Sequence, residues 1–168
     1  MVSAFLALRA TAFSIAFMGM WFWVVLRVQP LGREWDAALP RWISIPGVIL
    51  GAAGCLGMIV CIALFVVRGR GTPAIFDAPQ RFVGVGPYRY VRNPMYLSAI
   101  AFFAGYGLYV RSSAVLAFAA GWFLLIHAFV LFVEEPGLRQ RFGRTYDEYC
   151  KRVSRWMPRA WGGRARAR

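Results

Sequence analysis

The apolar and polar positions of the chain divide it into four long apolar runs joined by short polar or basic stretches. The runs are Ser3 to Leu26, Ile43 to Val67, Met95 to Val110 and Ser113 to Val133. The first has 24 residues, enough at about 1.5 Å per residue to cross a hydrocarbon core about 30 Å thick. No basic cluster precedes it and no small-residue cleavage site ends it, while Trp21 and Trp23 lie near its end as an interfacial belt would, so it is expected to stay as a signal anchor. Arg9 within it can snorkel to the nearer surface. The second run has Pro46 near its start and a series Gly47, Gly51, Gly54 and Gly57 that would let another helix approach closely. The third run is short: its 16 residues reach about 24 Å, so it is expected to begin below the membrane surface or to lean on the loop before it. Arg111 and Ser112 alone separate the third and fourth runs, which predicts a tight antiparallel hairpin. Beyond Pro136 the pattern changes. Leu138, Phe142, Tyr146, Tyr149 and Val153 recur at helical spacing among charged residues, predicting an amphipathic helix that lies on the membrane surface or folds back over the loop before the third run. The predicted fold class is an all-α integral membrane protein with four transmembrane helices and a cytoplasmic amphipathic C-terminal helix.

Composition supports the membrane reading. The chain is 168 residues long, 60% hydrophobic and 17% aromatic, more apolar than one soluble core of this size requires. Its net charge of +13 would suggest nucleic acid in a soluble protein, but the cations flank the apolar runs. Anionic lipid headgroups are therefore the expected partner, and no nucleic acid is. With Arg9 on the N-terminal side, sixteen of the 20 Lys and Arg residues fall in one compartment and four, Arg27, Arg33, Arg41 and Arg111, in the other. That bias predicts that both termini and the second loop are cytoplasmic; the expected location is a bacterial-type inner membrane. The chain divides into two N-terminal spans over 1–67, a functionally dense region over 68–159 and a basic tail over 160–168. Cys55, Cys61 and Cys150 have neither zinc-site nor disulfide spacing and read as small packing residues. One histidine and few carboxylates argue against a catalytic metal.

Two segments on the predicted cytoplasmic side carry chemistry beyond anchoring. In the first, Asn93 is a good helix N-cap and Pro94 fits the first helical position. Around them, Gly84, Gly86, Tyr88, Arg89, Tyr90, Arg92 and Tyr96 supply amides, phenols and guanidinium groups at a helix N-terminus, a place that favours anions. In the second, Glu134 and Glu135 close the fourth run, with Pro136 expected to break the helix just beyond them. A carboxylate pair there is costly through desolvation and the helix dipole, so it calls for bridging arginines or a cationic ligand. His127 lies about two turns before Glu134 and is read as sharing its face, as either a functional or a hydrogen-bonded structural histidine.

The stretches "GTPAIFDAPQRFVGVGPYRYVRNPMY" and "EEPGLRQRFGRTYDEYCKRVSRWMPR" resemble the two signature regions of the isoprenylcysteine carboxyl methyltransferase and phospholipid methyltransferase group of membrane enzymes. The resemblance covers Gly71 to about Arg159, with both halves in the expected order; the first two runs match only in kind. It implies S-adenosylmethionine as methyl donor, held by Gln80, Arg81, Phe82, Val83, Tyr88, Asn93, Pro94, Met95, Tyr96 and Glu134, to which Arg92 and Glu135 are added as neighbours. The donor's carboxylate, ammonium, sulfonium, ribose hydroxyls and adenine need this mix of cations, amides, a carboxylate and apolar walls.

Three positions depart from the group. Asn93 stands where its prenylcysteine enzymes have histidine, so no residue of the motif is evident as a catalytic base. Val130 stands where they have an arginine for substrate, and Val153-Ser154-Arg155 replaces a frequent Val-Pro-Arg. The expected activity is methyl transfer to a lipophilic acceptor, either a carboxylate or a phospholipid amine. The alternative of another class is a noncatalytic membrane protein whose basic face holds anionic lipid.

Overall fold

A computed structural model describes residues 4–32, 36, 39–69 and 84–158. Gln80, Arg81, Phe82 and Val83, and the tail 160–168, lie outside the described residues. The described chain is helical. Helix α1 is Ala4–Val28, α2 is Ser44–Leu64, α3 is Pro94–Tyr109, α4 is Ser113–Phe129, α5 is Glu135–Phe142 and α6 is Arg144–Arg152. A 3-10 turn, Arg41–Ile43, leads into α2 and a wider π turn, Phe65–Gly69, continues it. Among the described residues three helices are long and apolar enough to cross a membrane, within Thr11–Val28, Arg41–Arg68 and Ser113–Phe142. The third run forms α3 but, at 16 residues, is shorter than these.

Helix α3 packs chiefly against α2, and the glycine series explains how. A Cβ on Gly54 would sit 2.5 Å from Phe102 N and from Ser98 O, and one on Gly47 would sit 2.6 Å from Tyr109 N. Gly105 answers from α3, where a Cβ would run into the backbone of Gly51 and Gly47. Absence of side chains lets the two backbones touch, which replaces the hydrophobic drive that is lacking between helices in lipid. The hairpin expected between α3 and α4 is present. Arg111 makes it by taking a left-handed φ of 53°, and Ser112 caps α4 by accepting from Val115 N at 3.4 Å.

The core lies where α1, α3 and α4 meet. Val25, Phe103, Val115, Ala119, Trp122, Ile126 and Val130 are buried there. Trp21 of α1 meets Trp122 edge-on, with ring centroids 5.9 Å apart. At one end of the bundle Tyr106 donates to Gln29 Oε1 (2.9 Å), Ser113 donates N–H and hydroxyl to Asp36 Oδ1 (2.7 and 2.8 Å) and Ser44 donates to Tyr109 O (3.0 Å). The chemistry-bearing segments gather at the other end.

The expectation that Pro136 breaks the helix after Glu135 is overturned. Ser113 to Phe142 runs as one helix of 30 residues, with a π turn at Val130–Glu134 and Pro136 in the first turn of α5. The widened turn accommodates the proline, which has no N–H to donate and whose ring crowds the preceding turn. The chain breaks instead at Gly143, whose φ of 50° ends α5 and starts α6. The amphipathic stripe is thus bent rather than straight. Tyr146, Tyr149 and Val153 are buried against Leu138, Phe142 and Cys150, and Tyr149 donates to the Tyr88 carbonyl at 2.6 Å. Of the two dispositions open to it, this segment takes the one folded back over the loop.

Candidate functional site

The loop before α3 enters through a 3-10 turn, Gly86–Arg89, with Gly86 at a φ of 60° and Pro87 in its first turn. This turn buries Tyr88 and leaves Arg89 and Tyr90 exposed. The Tyr88 ring lies edge-on to Phe65 (5.6 Å between centroids), in a cluster with Cys61, Leu64 and Met95. Burial first, then the neighbouring Cys61 and Glu134, hold the Tyr88 phenol well above its ordinary pKa, so it is a neutral hydrogen-bonding group and no phenolate.

Asn93 occupies the N-cap position of α3 with Pro94 directly after it, but its side chain does not cap. Its ψ of 53° departs from the extended backbone of a capping residue, and its amide donates to Arg155 O at 3.3 Å. The first turn of α3, Met95 and Tyr96, therefore begins without the side-chain cap that the sequence predicts.

The glutamates that close the fourth run are adjacent in sequence and opposite in environment. Glu135 is buried in arginines. Arg155 donates two bonds to it, Nε to Oε1 at 2.7 Å and Nη2 to Oε2 at 3.0 Å, and Arg92 Nη1 lies 3.0 Å from Oε1. The hydrogen bond to Glu135 raises the pKa of Arg155, which stays charged. Bridging arginines thus answer for Glu135. Glu134 is hydrogen-bonded by Tyr96, yet its Oε2 is buried with no partner among the described residues, as is Arg92 Nε. An orphaned carboxylate oxygen in a protein interior is costly, and this one can accept from a cation or hydroxyl brought to it.

The structure therefore brings together Tyr88, Arg92, Asn93, Pro94, Met95, Tyr96, Glu134 and Glu135 at one end of the bundle. His127 is separate. Trp156 Nε1 donates to its Nδ1 at 2.8 Å and the Phe123 ring lies tilted to it at 6.0 Å between centroids, the contacts of a hydrogen-bonded histidine packed among aromatic rings. The π turn between His127 and Glu134 also disturbs the helical phase on which face-sharing depends. Val130 is fully buried in the core, so an apolar packing residue replaces the arginine that the resemblance places there.

The segment after α6, which the sequence marked only as a departure from Val-Pro-Arg, packs against the start of α3. Ser154 O accepts the Arg92 N–H at 2.8 Å, in a short parallel bridge between Val91 and Ser154. That contact uses a carbonyl, which serine and proline both have, so the departure at Ser154 leaves it intact. Arg155 reaches back 20 residues to Glu135; the sequence signals for it were its place at the end of the Val153-Ser154-Arg155 stretch and the need of a buried carboxylate for a cation.

No curated protein matches the chain. The sequence profile of the phospholipid methyltransferase family matches residues 45–145. That span begins in α2, so all but the first two residues of the second run, expected to resemble the family only in kind, lie inside the match. It includes the loop, the hairpin and both glutamates and stops at the start of α6. With more than half of its length matched, the chain belongs to the phospholipid methyltransferase family, a family of membrane methyltransferases.

Proposed function

We propose that this protein transfers a methyl group from S-adenosylmethionine to a lipophilic acceptor that reaches the site from the bilayer. The observation that carries this reading is the buried, unpartnered Glu134 Oε2 beside Tyr96 at the uncapped start of α3. The residues present fit the donor. Glu134 would take its ammonium or a ribose hydroxyl, and Arg92 Nε with the amides of the first turn of α3 would take its carboxylate. Tyr88, Met95 and Tyr96 would form walls, with Gln80 to Val83 contributing from the loop. When bound, the donor supplies an electrophilic methyl group on a sulfonium. The chain's own work is to hold and orient the partners and to exclude water, which suits a reaction whose leaving group is already activated.

The acceptor is read as a carboxylate, giving a methyl ester. A carboxylate arrives ionised at neutral pH, whereas an ammonium must first lose a proton. Asn93, bonded through its amide to the Arg155 carbonyl, is no base for that step. Val130 cannot steady the acceptor's charge, and Arg89, exposed on the same loop, is the cation assigned to it. In the membrane, α1 to α4 are read as four spans, the shorter α3 being carried by α2, with the site end in the cytoplasm as the arginine bias predicts.

Calorimetric titration of the purified protein with S-adenosylmethionine or its demethylated product tests the donor site. Glu134→Gln is expected to weaken binding by roughly ten-fold or more, the loss of one charged hydrogen bond. Asp147→Asn serves as control, since its pairing with Arg139 at 3.3 Å is exposed and should leave affinity unchanged. Absence of donor binding would favour a noncatalytic lipid-binding protein. The acceptor is tested by incubating the protein with methyl-labelled donor and a membrane lipid extract, then treating the product with mild base. A methyl ester releases volatile methanol, while base-stable label on an aminophospholipid would move the assignment to N-methylation.

A further inference from the structure

The segment Val153–Trp156 crosses the site end of the bundle, and one of its residues is bonded to both walls of the proposed donor site. The Arg155 carbonyl accepts from Asn93 Nδ2 at 3.3 Å, at the start of α3. The Arg155 guanidinium makes its two bonds of 2.7 and 3.0 Å to Glu135, the residue after Glu134. The neighbouring contacts, Ser154 O with Arg92 N and Trp156 with His127, tie the segment down on either side.

Glu135 sits where the direction of its neighbour is decided. Glu134 ends a π turn and Glu135 begins α5. A π turn holds one residue more than an α turn, so its gain or loss would rotate the helix beyond it by about 100°. A bidentate arginine fork on Glu135 has a fixed planar geometry and so pins that phase. Pinning it aims the adjacent Glu134 at Tyr96 and the opening of α3. On the opposite wall, engaging the Asn93 amide keeps that side chain from closing over the first turn of α3 as a cap.

We propose that Arg155 is a positioning residue for the methyl-donor site, its guanidinium aiming Glu134 through Glu135 while its backbone carbonyl keeps the start of α3 open through Asn93. This rests on the donor-site reading under Proposed function. It also places a determinant of donor binding beyond the stretch over which the family profile matches, residues 45–145.

The test is a double-mutant cycle between Arg155 and Glu134, on the full chain in detergent. Affinity for the demethylated donor product is read by calorimetry, and the thermal midpoint of each variant is recorded. Arg155→Gln is expected to weaken binding by about ten-fold, and Arg155→Lys, which keeps the charge but not the fork, by less. In the Glu134→Gln background, Arg155→Gln is expected to change affinity by under about two-fold, because the group it aims is already gone. A purely structural role would lower the midpoint and weaken binding by the same factor in both backgrounds, which would overturn the proposal. So would wild-type affinity in Arg155→Gln. If that variant does not fold, the milder Arg155→Lys carries the same cycle. Failure of the wild-type protein to bind the product overturns the donor-site reading itself and the role of Arg155 with it, an outcome distinct from binding that is indifferent to Arg155.

Discussion

Glu134 and Glu135 share a residue type and differ in every contact. Glu135 is closed on by Arg92 and Arg155, and removing its charge would leave two guanidinium groups facing each other in a partly buried site. Glu135→Gln is therefore expected to lower stability by about 3–5 kcal/mol, read as a marked fall in the thermal midpoint in detergent. Glu134→Gln keeps an acceptor for Tyr96 while removing a carboxylate whose Oε2 has no partner among the described residues, and is expected to leave the midpoint unchanged or raise it, even as donor binding falls. At His127 the expected effect is smaller. Trp156→Phe keeps a ring against Phe123 but deletes the 2.8 Å bond to Nδ1, and should cost about 1 kcal/mol in thermal unfolding while donor affinity is retained. These residue-scale differences were not legible in the sequence. The dipeptide Glu134-Glu135 reads the same in both positions, and only the helix phase decides which carboxylate meets the arginines.

Helices α2 and α3 form the tightest pair, and their glycines were legible beforehand because small residues at three- and four-residue spacing form one stripe on a helix. The partner glycine of α3, Gly105, gave no comparable sign, since a single glycine has many explanations. Gly54→Ala places a methyl group against the backbone at Phe102 and Ser98, atoms that cannot swing aside as a side chain would. It is expected to destabilise by about 1–3 kcal/mol. Gly121→Ala is the matched control on α4, with nothing within 4 Å of the added carbon; it should be neutral or gain up to about 1 kcal/mol from helix propensity. Thermal unfolding of the two variants side by side measures the difference. The π turn before Pro136 shows the opposite limit. Proline alone predicts a break, and the structure keeps the helix because a wider turn relieves the clash locally.

The two ends of the molecule have different characters. One is stitched by Gln29, Asp36, Tyr109 and Ser113, with Arg111 at its hairpin tip; the other gathers Arg92, Glu134, Glu135 and Arg155. The charge bias predicts that the second end is cytoplasmic, and cysteine labelling in intact cells checks it. In a chain with Cys150→Ser, an impermeant thiol reagent should reach Arg111→Cys from outside. It should reach Met157→Cys, at a position 78% exposed, only after the membrane is opened. Labelling of both from outside would refute the four-span reading as well as the orientation.

Membrane insertion, the number of apolar runs, the hairpin and the basic face could all be read from the sequence, because apolar transfer and positive-charge bias sum over composition along the chain. The gathering of the loop from Tyr88 to Tyr96 with Glu134 and Glu135 was legible too, as two segments dense in polar chemistry that the charge bias puts on one side. Tertiary structure alone decided that Glu135 meets both arginines while Glu134 meets Tyr96, that Asn93 turns away from its helix, and that Arg155 spans both walls. Those outcomes depend on contacts between residues 20 and 62 positions apart, and on a helix phase shifted by one widened turn. Side-chain direction of that kind belongs to the packing of elements against each other, so no local pattern of residue types encodes it.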